Sequence, residues 1–261
     1  MPHVGQKGIL IHSGGFRLLG TLFMAWGDAP KPTVLLLHGM PGIELNHDIA
    51  LALRDRGWNC LIFHYRGCGG SGGPYAVQTL VEDVRAAVDE LSSGRHPQVD
   101  PDRLVAIGHS MGGWAAVREA AFDPRVKAVA AVCAADDPGA LPFDTPEAAR
   151  DITDFLQGIT PESFIEQWRA LDPGQAASSL VARVAPRPIL VIHAEADEVV
   201  PVAQGRSLHE RAGEPRSLIV HPEANHSFTR HRAWLRETLV GWLAGLETTG
   251  LARTAPGSAP R

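Results

Sequence analysis

Apolar residues follow two rhythms along this chain. Short, nearly continuous runs at 33–37, 59–64, 103–107, 126–132, 188–193 and 216–220 read as strands. Between them the apolar positions fall three and four apart, the spacing of one face of a helix. Within 80–91, for example, Leu80, Val84, Ala87, Val88 and Leu91 share a face, which leaves Glu82, Asp83, Arg85 and Asp89 for the solvent side. Further helices are expected over 46–56 and 232–246. Ahead of all these, 8–12 and 16–23 flank Ser13-Gly14-Gly15 and read as an antiparallel hairpin. Strands too apolar to have a wet face, alternating with helices, predict a mostly parallel sheet covered on both faces.

One interval breaks the alternation. About 50 residues between Ala134 and Pro188 lack strand character, and two short helices are expected there, over 145–156 and 161–171. The interval's apolar residues Phe143, Phe155, Leu156, Phe164, Ile165 and Trp168 either line a pocket or pack these helices onto the core. The segment from about 248 to 261 reads as a disordered tail.

Composition narrows the class without naming a function. With 261 residues, 44% of them hydrophobic, the chain suits one large α/β domain. A net charge of −5 and the lack of a basic patch speak against nucleic acid as the partner. Cys60, Cys68 and Cys133 are too few and scattered for a disulfide framework, and none forms a Cys-x-x-Cys metal pair. Twelve histidines raise the question of a metal, but no His-x-x-x-His pair sits on a convincing helix with an acidic partner, so none is expected. The N-terminal residues lack a charged segment followed by an apolar core, and no apolar stretch reaches about 18 residues. No membrane insertion is expected, and the location expected is the cytoplasm. A homo-oligomer is left open.

The chemistry concentrates at Gly108-His109-Ser110-Met111-Gly112, which follows the strand-like Leu104-Val105-Ala106-Ile107 and precedes a helix-compatible stretch. Gly-x-Ser-x-Gly between strand and helix holds a serine on a strained turn, where side chains at the flanking glycines would collide with neighbouring main chain. The helix that follows aims its first N–H groups at any oxyanion forming beside Ser110, and Met111 would supply one of them. A serine hydroxyl needs a base to take its proton and an acid to orient that base. Downstream, Asp197 follows the strand at 188–193 and His226 follows the strand at 216–220. Asp136 and Asp137 compete with Asp197, because they too follow a strand.

With the order Ser, Asp, His, the chain resembles the α/β-hydrolase family, and the likeness runs from about residue 7 to about residue 245. His38-Gly39-Met40-Pro41-Gly42 is similar to the family's oxyanion loop, and the resemblance gives the second oxyanion N–H to Met40, since Pro41 has none. The segment from Phe63 to Ser71 resembles the family's Asp-x-Arg-Gly-x-Gly-x-Ser, with His64 in place of the aspartate. Asp197-Glu198-Val199-Val200-Pro201 is similar to its acid loop, with Ala194 where glycine is common.

The resemblance implies an α/β-hydrolase fold: a mostly parallel central sheet with an N-terminal antiparallel hairpin, helices on both faces, and a small helical cap inserted at about 138–186 of a single domain. It further implies a serine hydrolase of the serine-peptidase-like and dienelactone-hydrolase-like branch. Ser110, His226 and Asp197 would be catalytic, Met40 and Met111 would form the oxyanion hole, and no cofactor would be needed. The substrate expected is a small-molecule ester or acyl compound of small to medium acyl group. His109 and the Met40-Pro41-Gly42 loop do not identify the acyl chain. Peptidase, thioesterase, perhydrolase or carbon–carbon hydrolase activity remain alternatives, as does a non-catalytic binding protein on the same fold.

Overall fold

The computed structural model describes residues 5–136 and 145–248. Asp137, Phe143, the first residues of the 138–186 insertion and the segment 249–261 lie outside that range. The hairpin of β1 (Gly5–Ser13) and β2 (Phe16–Met24) leads into β3 (Lys31–Leu37), β4 (Asn59–Phe63), β5 (Val99–His109), β6 (Val126–Val132), β7 (Ile189–Ala194) and β8 (Arg216–His221). These form one sheet in the order β1-β2-β4-β3-β5-β6-β7-β8. Only the β1–β2 and β2–β4 pairings are antiparallel; from β4 through β8 every neighbour is parallel.

The apolar runs are explained by two cores, one on each face of the sheet. Leu35, Leu37, Leu61 and Phe63 point into one, whereas their alternate neighbours Val34, Leu36, Cys60 and Ile62 point into the other. Helices α1 (His47–Asp55) and α8 (Arg232–Thr248) cover the second face. α8 does so with Leu235, Leu239, Leu243 and Leu246, whose burial is worth at most roughly 1.5–3 kcal/mol each. Arg232 ties the pair together, donating from Nε to Asp48 at 3.1 Å and from Nη2 to the Asn46 carbonyl group of the side chain at 2.9 Å. The first face carries α2 (Leu80–Ser92), α3 (Met111–Phe122) and α7 (Val202–Arg211).

Between β6 and β7 the described chain forms α4 (Pro146–Thr153), α5 (Pro161–Arg169) and α6 (Ala177–Leu180). The first two start alike for a local reason: Thr145-Pro146 and Thr160-Pro161 each place a hydroxyl cap before a proline whose missing N–H the first turn does not need. Thr160 and Ser163 also close a reciprocal capping box. Leu156, Phe164, Ile165 and Trp168 are buried in the first-face core, which supports packing over pocket lining for these four, and Phe155 is exposed.

One expectation needs correction. Asp83 is not solvated but fully buried, because Arg66 in the glycine-rich loop turns inward: its backbone N–H donates to Asp83 Oδ2 at 2.8 Å and its Nε to Oδ1 at 2.7 Å. Glu82, Arg85 and Asp89 do lie outward, yet each is paired, with Arg66, Glu119 and Arg125. The pattern also gives no warning of α7, since it buries little beyond Gly205 and Leu208.

Candidate active site

Everything distinctive about Ser110 follows from how tightly β5 turns into α3. Its backbone has φ 57° and ψ −124°, a left-handed conformation that costs an L-residue on the order of 1–3 kcal/mol. A Cβ at Gly108 would lie 2.0 Å from the Gly112 carbonyl oxygen, and one at Gly112 would lie 2.3 Å from that of Leu37. Only glycine fits at either place. The 38–42 loop comes equally close, since a Cβ on Gly39 would lie 2.9 Å from Ser110 Cβ and 3.5 Å from its Oγ. Gly39 therefore lies against Ser110, which caps the start of α3, where Met111 has no carbonyl one turn back to take its N–H.

Asp197 and His226 meet. The carboxylate lies 2.9 and 3.0 Å from His226 Nδ1, which fixes Nδ1 as the protonated nitrogen and leaves Nε2 with its lone pair. The turn Asp197 to Val200 presents the backbone N–H groups of Val199 and Val200 to Asp197 Oδ1 at 2.9 and 2.7 Å. Burial alone would raise this carboxyl. Hydrogen bonds from His193 and His226, the His226 charge and the Val200 N–H outweigh it and hold the group far below the ordinary carboxylate range.

The elbow and the histidine loop are linked through His109, the residue beside Ser110. Its Nε2 donates to the His226 carbonyl at 2.9 Å and the two rings lie 4.8 Å apart. Burial, with the neighbouring His226, lowers the His109 pKa to about 3, so it stays a neutral donor. His38 is likewise lowered to about 4 by burial, and its Nδ1 donates to the Gly39 carbonyl at 2.7 Å.

Asp136 goes elsewhere. Its carboxylate accepts the Ser178 N–H, its carbonyl accepts the Ala177 N–H at 2.9 Å, and its own N–H donates to Gln204 Oε1 at 2.8 Å. This side chain fastens the start of α6. Of the two described competitors, Asp197 is thus the one in contact with the histidine.

Three neighbours have no signal in residue spacing. Tyr75, fully buried, donates its hydroxyl toward Met40 Sδ at 3.3 Å and Met111 Sδ at 3.6 Å, so both methionines converge on one phenol. His193 and Cys133 come within 4.8 Å of Asp197, a trio of metal-ligand types contributed by β7, the loop that follows it and the residue after β6. It does not present three lone pairs: His193 Nε2 faces the Val200 carbonyl at 2.9 Å and Asp197 Oδ2 at 3.4 Å, both acceptors, and so carries the proton. These groups steady a carboxylate. The one hint in the sequence is His193 as a polar residue inside an otherwise apolar strand.

Geometrically, the site brings a strained serine, a histidine with a free Nε2 and its carboxylate to the carboxyl ends of parallel strands. Known proteins share the fold that carries these residues. The model of the prolyl oligopeptidase family matches residues 44–246. YfhR, an uncharacterized protein of Escherichia coli O157:H7, is 30% identical over 239 residues, which is 86% of this chain and 77% of that one. Among solved structures, Est1E of Butyrivibrio proteoclasticus with ferulic acid bound superposes with a TM-score of 0.73 at 19% identity, over 92% of this chain and 99% of that one. The esterase domain of a Rhodothermus marinus protein gives 0.68 at 24% identity, over 92% and 98%. These two likenesses establish the α/β-hydrolase fold. Among the described residues no helix is long and apolar enough to cross a membrane.

Proposed function

Since this chain belongs to the prolyl oligopeptidase family of hydrolases, we propose that it is a serine hydrolase that cleaves carboxylic esters of small to medium acyl groups. The observation that carries the reading is the Asp197–His226 pair at 2.9 Å, joined through His109 to the turn that strains Ser110.

In this mechanism His226 Nε2 takes the hydroxyl proton as Ser110 Oγ attacks the acyl carbonyl. Asp197 keeps the ring in the Nδ1–H tautomer and stabilises the imidazolium. N–H groups of Met40 and Met111 receive the oxyanion, a contribution of roughly 3–4 kcal/mol per donor. His226 then protonates the departing alcohol, an acyl-serine remains, and water activated by the same histidine releases the acid. Side chains and backbone carry every step.

A single domain with a small cap inserted at about 138–186, to which α4, α5 and α6 belong, fits this reading, with a small-molecule acyl substrate entering beneath it. Three scattered cysteines, all buried and free, suit a reducing cytoplasm. The family match favours one second reading, cleavage of aminoacyl bonds.

The test is a plate of p-nitrophenyl esters from acetate to palmitate beside aminoacyl anilides, run with the parent and Ser110→Ala. Hydrolysis of short esters that falls by at least a thousandfold in Ser110→Ala is expected, with both proteins melting alike. Activity in Ser110→Ala within tenfold of the parent would overturn the mechanism, and anilide turnover exceeding ester turnover would favour the second reading.

A further inference from the structure

On the far side of α3 from the 38–42 loop, a cavity of about 270 Å³ lies between α2, α3 and the turn after α5. Val77, Val81, Trp114, Arg118, Leu171 and Gln175 line it. Trp114 Nε1 donates to the Gln175 carbonyl at 2.7 Å, so one wall is pinned to the inserted segment. The volume equals that of about nine liquid waters, room for a small organic molecule.

Arg118 sets the chemistry of this cavity. Its guanidinium lies 5.8 Å from the Trp114 ring centroid, and its Nε is buried without a hydrogen-bond partner. The adjoining carboxylate on the helix, Glu119, is taken by Arg85. A half-buried guanidinium on the wall of a cavity, with no ion pair among the described residues, is a receptor for a carboxylate, which would gain a charge-assisted hydrogen bond from its outer nitrogens, the buried Nε lying behind them. The valines, Leu171 and the indole face give an apolar body something to cover. Asp172 also borders the cavity, with Oδ1 accepting the Gly174 N–H at 2.8 Å.

We infer that this cavity binds a small organic carboxylate, its head on Arg118 and its alkyl body against Val77, Val81, Leu171 and Trp114. Arg118 follows Ser110 by eight residues, about 12 Å along the helix, so the site is separate from the proposed chemistry at Ser110. The ligand is recognised whether or not Ser110 is a nucleophile.

Isothermal titration of sodium hexanoate, with hexanamide as its uncharged twin, tests this on the full chain. Hexanoate should bind the parent and Ser110→Ala alike, at least tenfold more tightly than hexanamide. Arg118→Gln should erase that margin with an unchanged thermal melt. Leu171→Trp, which fills the cavity and keeps the charge, should weaken hexanoate at least tenfold. Equal binding of the two probes, no heat from either, or a margin that survives both substitutions would overturn the inference. So would hexanoate binding that disappears once a phosphonate occupies Ser110, because the acid would then be seated at that serine as a product. Failure of Ser110→Ala to lower esterase activity is read separately and leaves the binding result intact.

Discussion

Asp136 and Asp197 leave the carboxyl ends of adjacent parallel strands, β6 and β7, a few residues beyond the last ladder bond. One carboxylate is consumed by a backbone N–H at the start of α6, whereas the other holds a histidine ring. Strand position thus nominates both, and the loop decides between them. After β7 a tight turn folds the Val199 and Val200 N–H groups back on the carboxylate and aims what remains at His226. After β6 the chain enters an insertion whose third helix, α6, needs an anchor. A carboxylate bound to a helix start is structural, while one bound to an imidazole sets a tautomer.

Substitution should separate the two most sharply in turnover. Asp197→Asn is expected to lower kcat on esters by about 10⁴-fold, because an amide facing Nδ1 reverses the tautomer and withdraws support from the imidazolium. Steady-state kinetics beside a thermal melt would check it. Asp136→Asn should leave kcat within tenfold of the parent; the comparison breaks if the two substitutions change places.

Stability should show the reverse order. Asp136→Ala leaves the part-buried Ser178 N–H without its carboxylate, at a cost of about 1–2 kcal/mol measured by urea unfolding. The same variant should keep its labelling by a phosphonate.

A pH-dependent effect tells apart the acid response of the carboxylate and of two buried histidines. Burial depresses His109 and His38 to about 3 and about 4, below the ordinary 6.5, so between those values and 6.5 the unfolded chain binds protons that the folded chain refuses. Stability is therefore full above pH 6.5 and falls as pH drops through that window. Asp197, also depressed, gives up its contribution only below the ordinary aspartate range of about 4. Urea unfolding at pH 7, 5.5 and 4.5 should show a steady loss, and His109→Gln, which keeps a donor for the His226 carbonyl, should flatten it. An equal slope in His109→Gln would move the origin of the loss elsewhere.

The sheet was legible because its strands are apolar on both faces and glycine marks the turn after β5. Ser110, Asp197 and His226 could be nominated because each follows such a strand, and the contact of the last two is what the fold adds. What spacing could not convey was tertiary. His109 looks like an unremarkable member of a pentapeptide until its ring is found against residue 226, 117 positions away. Tyr75 lies in a loop with no periodicity, and its meeting with two methionine sulfurs depends on three separate elements. Asp83 fits the polar face of α2 by count, and only the inward turn of Arg66 buries it. A local pattern reports the face a residue prefers, not the partner that later claims it.

The backbone at Ser110 carries a lesson about selection. With φ 57° and ψ −124°, it occupies ground that glycine holds without strain, between two glycines already there for space. A chain chosen only for durability would place a third glycine at 110 and gain stability from it. A side chain kept in a position where folding would discard it marks the place where robustness and usefulness pull in opposite directions.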